Sequence, residues 1–488
     1  METKFDQSLT SKIDKLGHAL PLGLSAILAA IVFWIASDFP FFWDTIQLAA
    51  RQATHFYEGG NWLLPDTIDS GHPPGFGAYL SWWWQLLGRK LWVSHLAMFP
   101  WHWLLFYQLI RLCQDHLRSR WHWAFPILLL EPVLLGQCVL VSPDIALLAS
   151  YLLGLRIIYS PKESKTTKWL LFFTVVVLAV ISTRAWVAAF SLFLLHLVEN
   201  FREKKRLSLR ELSQVLFPYI GGGLIALTYL FLHYQAKGWI GYHPDSPWAS
   251  SFQRVGVKGV FRNIALVGWR LLDYGRIGLW LLLLFAIYQK GWHKLWQNHH
   301  WRRLGLAPTL FFLLLAPLIL THNGLTGPRY LLPTIIGFDL LVVYSLLQSN
   351  KPLQFWQKGG IFLAAISLLS GSFWIYPQRI AQAWDATPAH IPYYQQHQAA
   401  LEFIVDQVGS IDSVVTVFPS AGPEDWRALN RESTGFSLYT AGHNKPCYFV
   451  SLIHNDWQDA DLDFIESQDL IWQQKHWNGV WSKIYCEQ

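Results

Sequence analysis

Charge is what this chain has least of: of 488 residues, 14% are Asp, Glu, Lys or Arg, against 52% hydrophobic and 16% aromatic. That ratio excludes an ordinary soluble domain and reads as a membrane protein. Cysteine is scarce too, with 4 residues. Cys113 and Cys138 fall in or beside apolar segments, where a thiol acts as a small hydrophobe. Cys447 and Cys486 lie in the tail, where an oxidising compartment would permit a disulfide. No Cys/His spacing matches a structural zinc site, no repeat, heptad or low-complexity tract is present, and nothing resembles a lipidation motif. The run "GGG" at 221–223 is not a phosphate loop, because no strand precedes it and no Lys-Ser/Thr follows; it reads as a close-packing point within a span. With no isolated basic domain, nucleic acid is not an expected partner, and the net charge of +6 is an orientation signal.

What is present is a series of apolar windows near the ~20 residues needed to cross hydrocarbon. They cover 18–37, 92–111, 121–140, 144–159, 168–183, 185–199, 212–233, 271–289, 304–320, 330–348 and 358–376. Each should be helical, because lipid offers backbone groups no partners. The first follows a mixed-charge stretch and is read as an uncleaved helix, not a signal peptide. The segment "PPGFGAYLSWWWQLLG" (73–88) decides the topology. If it lies at the interface instead of crossing, Lys4, Lys12, Lys15, the runs 111–120, 156–168, 201–210 and 289–303, and Lys351 with Lys358 all share one side, which the positive-inside rule makes the cytoplasm. The loops 38–91, 141–144, 183–185, 234–270 and 321–330 and the tail then face away from it. His293, His299 and His300 on the cytoplasmic side read as interfacial residues.

Past residue 376 acids, Gln and Asn become frequent and apolar runs shorten. "QQHQAALEFIVDQVG" has helical period, "DSVVTVFPS" and "CYFVSLI" read as buried strands, and "DADLDFIESQDL" suggests another helix before "VWSKIYCEQ". The expected fold is therefore an all-α polytopic membrane domain over 1–376, with about 11 transmembrane helices and outer juxtamembrane helices. A small α/β extracytoplasmic domain follows over 377–488.

The outward loops hold the residues able to carry chemistry. Asp44 either caps the helix that "DTIQLAARQATHF" predicts or serves as a carboxylate that accepts a proton from a substrate hydroxyl. Glu58, Asp66 and Asp69 share its loop. His72 precedes Pro73 and Pro74, which force an extended approach and place an imidazole at the membrane lip. Asp144 opens a helix after Pro143, as a cap or as an ionisable group at costly depth. Arg184 interrupts a long apolar run on the outer side, where a bound anion would offset its cost. In "GPRYLLP", Arg329 and Tyr330 stand at a helix start, where amides and a guanidinium seat phosphate. In the loop 234–270, Arg254, Lys258 and Arg262 recur about every four residues, as one face of an interfacial helix meeting anionic head groups.

In order, "FFWDTIQLAARQATHFYEGGNWLLP", "GHPPGFGAYLSWWW", "VSPDIALL", "STRAWV" and "GPRYLLP" resemble the motifs of the membrane-embedded glycosyltransferases with the GT-C fold, the superfamily of the protein O-mannosyltransferases and the lipid A aminoarabinose transferase. The resemblance spans most of residues 18–348. It implies a polyprenyl-phosphate sugar as donor and a lipid, glycan or protein acceptor outside the cytoplasm. Carried over, Asp44 would be the general base of an inverting transfer and Asp144 a second catalytic acid. Arg184 and Arg329 would hold donor phosphate, with His72 and Tyr330 beside it. Asp44-Thr45 stands where the superfamily has an Asp-Glu pair, so a divalent metal is allowed but not implied. The expected location is a bacterial inner (cytoplasmic) membrane, with active site and C-terminal domain extracytoplasmic. A multi-pass transporter or lipid flippase, and a polysaccharide polymerase or ligase, are the rival readings. A transporter calls for mid-membrane charges and repeat symmetry, whereas here the notable charges cluster at one face and no halves match.

Overall fold

The computed structural model describes residues 2–160, 164–204, 208–241, 243–244, 249–324, 326–348, 353–376, 383–407, 413–419, 436–439, 446–454 and 457–487, with side chains from residue 19 onward. Lys351 and parts of the basic runs at 156–168 and 201–210 fall outside these residues.

The helical part begins with α1 (Glu2–Ala36), α2 (Gln52–Tyr57), α3 (Gly75–Leu87), α4 (Leu91–Leu117), α5 (Trp121–Leu129), α6 (Pro132–Cys138), α7 (Pro143–Tyr159) and α8 (Lys165–Ile181). It continues with α9 (Thr183–Lys204), α10 (Leu209–Lys237), α11 (Val257–Arg270), α12 (Ile277–Lys290), α13 (Trp292–Gln297), α14 (His299–Thr321), α15 (Leu332–Leu347) and α16 (Phe355–Gly371). One apolar core runs from α1 through α16. Outward-facing side chains such as Trp34, Leu227, Phe231, Leu281, Phe362 and Leu363 remain uncovered. Apolar exposure on that scale suits a lipid surround, not water. This is a polytopic helical membrane fold.

Every window read from the sequence contains helix, but not always one uninterrupted span. Four helical stretches among the described residues are long and apolar enough to cross alone: Ala19–Ala36, Leu209–Lys237, His299–Thr321 and Pro328–Leu347. Others, such as the 17-residue α8 and α16 and the 14-residue α12, are shorter. The window 121–140 breaks at Glu131, because Pro132 disfavours a helical residue before it and the Glu131 carboxylate caps α6 by accepting from the Val133 amide at 3.1 Å. α6 and α7 meet at a bend of 119°. Residues 73–88 contain α3, whose 13 residues reach only about 20 Å at 1.5 Å per residue.

Small residues set the helix spacing. A Cβ on Gly222 would lie 2.7 Å from the Val175 side chain, and one on Gly221 would strike the Phe172 ring, so α10 meets α8 at glycine.

The C-terminal part contains α17 (Ile391–Gln407), α18 (Asp459–Glu466) and strands β1 (Val414–Thr416), β2 (Ser437–Leu438), β3 (Cys447–Ser451), β4 (Asp469–Lys475) and β5 (Trp481–Cys486), in sheet order β2-β1-β3-β5-β4. β2, β1 and β3 pair in parallel; β5 pairs antiparallel with β3 and β4. The helical reading of "DADLDFIESQDL" overran its end. Gln468 closes the turn after α18 and Asp469 starts β4, a mostly exposed strand without the buried face that would have marked it. Cys447 and Cys486 stand opposite each other on β3 and β5 and form a disulfide.

Two short turns, Trp384–Ala386 and Pro388–His390, join the parts. Their fit depends on Gly136: a Cβ there would sit 2.6 Å from the Ala386 carbonyl oxygen and 2.7 Å from the Thr387 Cα. Gln137 reinforces the contact by donating to the Asp385 carbonyl at 2.6 Å, and its own side-chain oxygen accepts from Ser142 at 2.6 Å. Gly136→Val is expected to lower the thermal midpoint by overpacking worth about 1–3 kcal/mol and to displace Asp385. A differential scanning profile indistinguishable from the parent would remove this docking role.

Candidate active site

Four separated segments converge. After α1, Trp43 adopts a left-handed backbone (φ 53°), which costs energy for a bulky side chain and aims the following residue away from the incoming chain. The helix that follows opens as a π-helical stretch, Ile46–Arg51, a form frequent at functional sites. In the turn before it, the Thr45 hydroxyl accepts from the Phe42 amide at 2.9 Å and donates to the Phe42 carbonyl at 2.8 Å. Thr45, not Asp44, holds the N-cap position, and its side chain makes no capping bond to the helix. The Asp44 carboxylate instead accepts a hydrogen bond from Arg329.

At α7 the cap is Ser142, which accepts from the Asp144 amide at 3.2 Å. Asp144, with Pro143 before it, is freed to reach Arg184 in the first turn of α9, at 2.8 Å. Arg184 and Arg329 then face the same phenol. Their guanidinium carbons lie 4.4 Å and 5.0 Å from the Tyr330 ring centroid, a double cation–π contact. Arg329 also donates to the Tyr330 hydroxyl at 3.2 Å. The second carboxylate on Arg329 belongs to Asp385, from the turn docked on α6. Arg329 thus sits between Asp44 and Asp385.

His72 completes the rim. Gly71 (φ 69°) turns the chain before it, and Pro73 and Pro74 deliver it to α9, where its Nδ1 is 2.6 Å from the Thr183 hydroxyl. Its carbonyl accepts from Tyr229 at 2.9 Å. Upstream, buried Asp69 meets His233 of α10 at 3.0 Å. Loss of solvating water, with Arg184 opposing a further positive charge, brings the His72 pKa down to about 4. The imidazole is therefore neutral near pH 7 and offers hydrogen bonds, not a positive charge.

Asp44, His72, Thr183, Arg184 and Tyr330 line one cavity of ≈ 60 Å³, closed on its other sides by apolar residues including Leu48, Leu315 and Ile319. Of the six residues singled out in the sequence, four line it directly. Asp144 and Arg329 reach it through Arg184, Tyr330 and Asp44. Among the described residues, no group of three or more His, Cys, Asp or Glu side chains is placed to hold a metal ion.

Sequence reasoning missed Asp385. Burial, and after it the nearby Asp44 and Asp144 charges, push its carboxyl up to about 6 against the pull of Arg329. The one local signal was an acid between Trp384 and Ala386 in an otherwise apolar turn. A second buried cluster was missed as well: Arg276 donates to Glu131 and, at 2.7 Å, to Asp273, which Arg270 also contacts at 3.0 Å. The expected basic face 254–262 is only partly helical. Arg254 lies before α11, and Arg262 turns to Asn323 at 3.1 Å.

Solved structures share this arrangement of helices and terminal sheet. ArnT from Cupriavidus metallidurans bound to undecaprenyl phosphate aligns over 94% of this chain and 97% of its own, with TM-score 0.52 and 11% identity. Its apo structure aligns over the same shares, with TM-score 0.51 and 13% identity. The chain has the GT-C fold. No family model and no curated protein sequence matches it, so the GT-C likeness rests on three-dimensional arrangement. At this identity it speaks for the fold; the chemistry is argued from the side chains.

Proposed function

We propose that this protein is a membrane glycosyltransferase that moves a sugar from a polyprenyl-phosphate donor to an acceptor on the extracytoplasmic side. The observation that carries the reading is the gathering of Asp44, Arg184, Arg329 and His72 around one pocket walled by apolar side chains. An amphiphilic donor needs that combination: lipid contact for its chain and fixed cations for its phosphate. A bacterial inner membrane is the setting in which the basic loops would face the cytoplasm.

The acceptor hydroxyl hydrogen-bonds to Asp44, which takes its proton as the acceptor oxygen attacks the anomeric carbon from the face opposite the phosphate. The bond from that carbon to the phosphate oxygen breaks, and polyprenyl phosphate departs with the electron pair, its charge held by Arg184 and Arg329. Configuration inverts in a single displacement. Asp144 fixes the guanidinium of Arg184. Asp385 holds Arg329 in place until the donor phosphate competes for it.

That competition gives a pH dependence with a definite sign. Asp385 is surrounded by Arg329, Asp44 and Asp144, and its pKa is raised to about 6. Below that pH it is neutral and leaves Arg329 to the phosphate; above it, the carboxylate competes. Donor affinity should therefore fall as pH rises through about 6, and Asp385→Asn should flatten the profile. Binding of a non-transferable polyprenyl phosphodiester, which unlike the monoester has no second ionisation near pH 6, checks this between pH 5 and 8, and a flat parental curve contradicts it.

The reading itself is tested by incubating the purified protein in lipid nanodiscs with a panel of polyprenyl-phosphate sugars and acceptor lipids. Release of polyprenyl phosphate by the parent supports transfer. Movement of intact lipid-linked sugar between leaflets, without bond cleavage, would establish the transporter reading instead.

A further inference from the structure

The helices that build the active site also build a second pocket at their other ends. α7 carries Asp144 in its first turn and Tyr159 at its last residue; α9 carries Arg184 at its start and Glu199 to Lys204 at its end. α8 and α14 run the opposite way, so Ile319 lines the active site while Arg303 and His299 lie near the start of α14. Fifteen residues separate Arg184 from Glu199 on α9, about 22 Å of helix. Between these far ends lies a cavity of ≈ 540 Å³, nine times the volume of the active-site pocket.

Its lining is charged in a particular way. Lys168, Arg202, Lys204 and Arg303 surround it against two carboxylates, Glu199 and Glu203. Lys204 pairs with Glu211 at 3.1 Å, while Glu199 is shared, lying 2.7 Å from Arg303 and 3.3 Å from Arg202, so one acid serves two guanidinium groups. Arg303 is braced by the Tyr159 ring, 4.5 Å from its guanidinium carbon, and the Tyr159 hydroxyl donates to the Arg303 carbonyl at 2.6 Å. The polar end is continuous with apolar lining from Ile157, Ile158 and Leu171. On the outer flank of α8, Trp169, Leu170 and Phe173 are exposed to the lipid side. A cationic pocket at the bilayer boundary with an apolar wall suits a phosphate that carries a lipid tail.

We propose that this pocket binds the phosphate head group of an anionic membrane lipid from the leaflet opposite the active site. Arg202 and Lys168 contact the phosphate, and the acyl chains descend past Leu171. The site is independent of the donor site and of the transfer chemistry. A lipid seated there ties together the four helices whose opposite ends hold Asp144, Arg184 and the apolar wall of the active site.

The test compares the protein in nanodiscs of phosphatidylcholine alone with nanodiscs containing phosphatidylglycerol, counting retained lipids by native mass spectrometry and measuring the thermal midpoint. The double variant Lys168→Gln/Arg202→Gln should hold phosphatidylglycerol about thirty-fold more weakly, the equivalent of ~2 kcal/mol for two charges near a lipid surface. Arg210→Gln, an exposed cation nearby but outside the pocket lining, is the control and should retain the lipid. Equal losses in the double variant and the control would reduce the effect to diffuse surface attraction and overturn the site. Equal protection by inorganic phosphate in phosphatidylcholine discs would overturn the lipid as its occupant.

Discussion

Asp44→Asn is expected to cut sugar transfer by about 10²–10⁴-fold, the range a positioned general base contributes, while leaving the protein folded. The amide has the volume of the carboxylate, and Arg329 retains Asp385 as its counter-ion, so no buried cation is stranded. The loss should fall on kcat. Donor binding should hold or tighten, because one of the two anions competing with phosphate for Arg329 is gone. Steady-state transfer with the parental donor, alongside equilibrium binding of polyprenyl phosphate, separates the two effects. A variant that keeps a tenth or more of the parental kcat would remove Asp44 from the role of base.

Arg329→Leu should be the most destabilising substitution in the site. It leaves Asp385, 5% exposed, without its counter-ion, and Asp44 without its hydrogen-bond donor. Breaking a buried pair in this way costs about 3–5 kcal/mol, because the uncompensated charge stays behind. Adding Asp385→Leu should recover much of the thermal midpoint without recovering activity, since one orphaned acid is removed while the phosphate contact remains absent. Arg329→Lys should fold but bind donor more weakly, because an ammonium cannot span two acceptors as the planar guanidinium does. If the double variant is no more stable than Arg329→Leu alone, the Asp385 contact is not what the arginine supports. Equal donor affinity in Arg329→Lys would dismiss the forked contact.

Much of this site could be read in the chain because its parts sit at helix starts facing one side. Asp44 follows the first span, Asp144 and Arg184 open α7 and α9, and Arg329 with Tyr330 leads into α15. Each interrupts an apolar run, which is a local signal. Asp385 gave little such signal, since it falls in a tail whose composition suggested a separate soluble domain. Glu131 stayed hidden for a related reason: within an apolar window its charge is uninformative until Arg276 is seen beside it. The charge state of His72 was not legible, because that depends on how fully the fold strips it of water and on the nearness of Arg184.

The sequence by itself determined that the chain is a bundle of membrane helices, which ends of those helices carry polar chemistry, and that a small mixed domain follows. Hydrophobicity is a local property, and lipid leaves the backbone no alternative to helix. Only the tertiary structure decided which acid answers which arginine. Arg329 bonds Asp44 across 285 positions of sequence and Asp385 across 56, and nothing in residue type or spacing selects those partners. A buried guanidinium takes the carboxylates that packing brings within reach, and here the close approach at Gly136 and the left-handed turn at Trp43 deliver them.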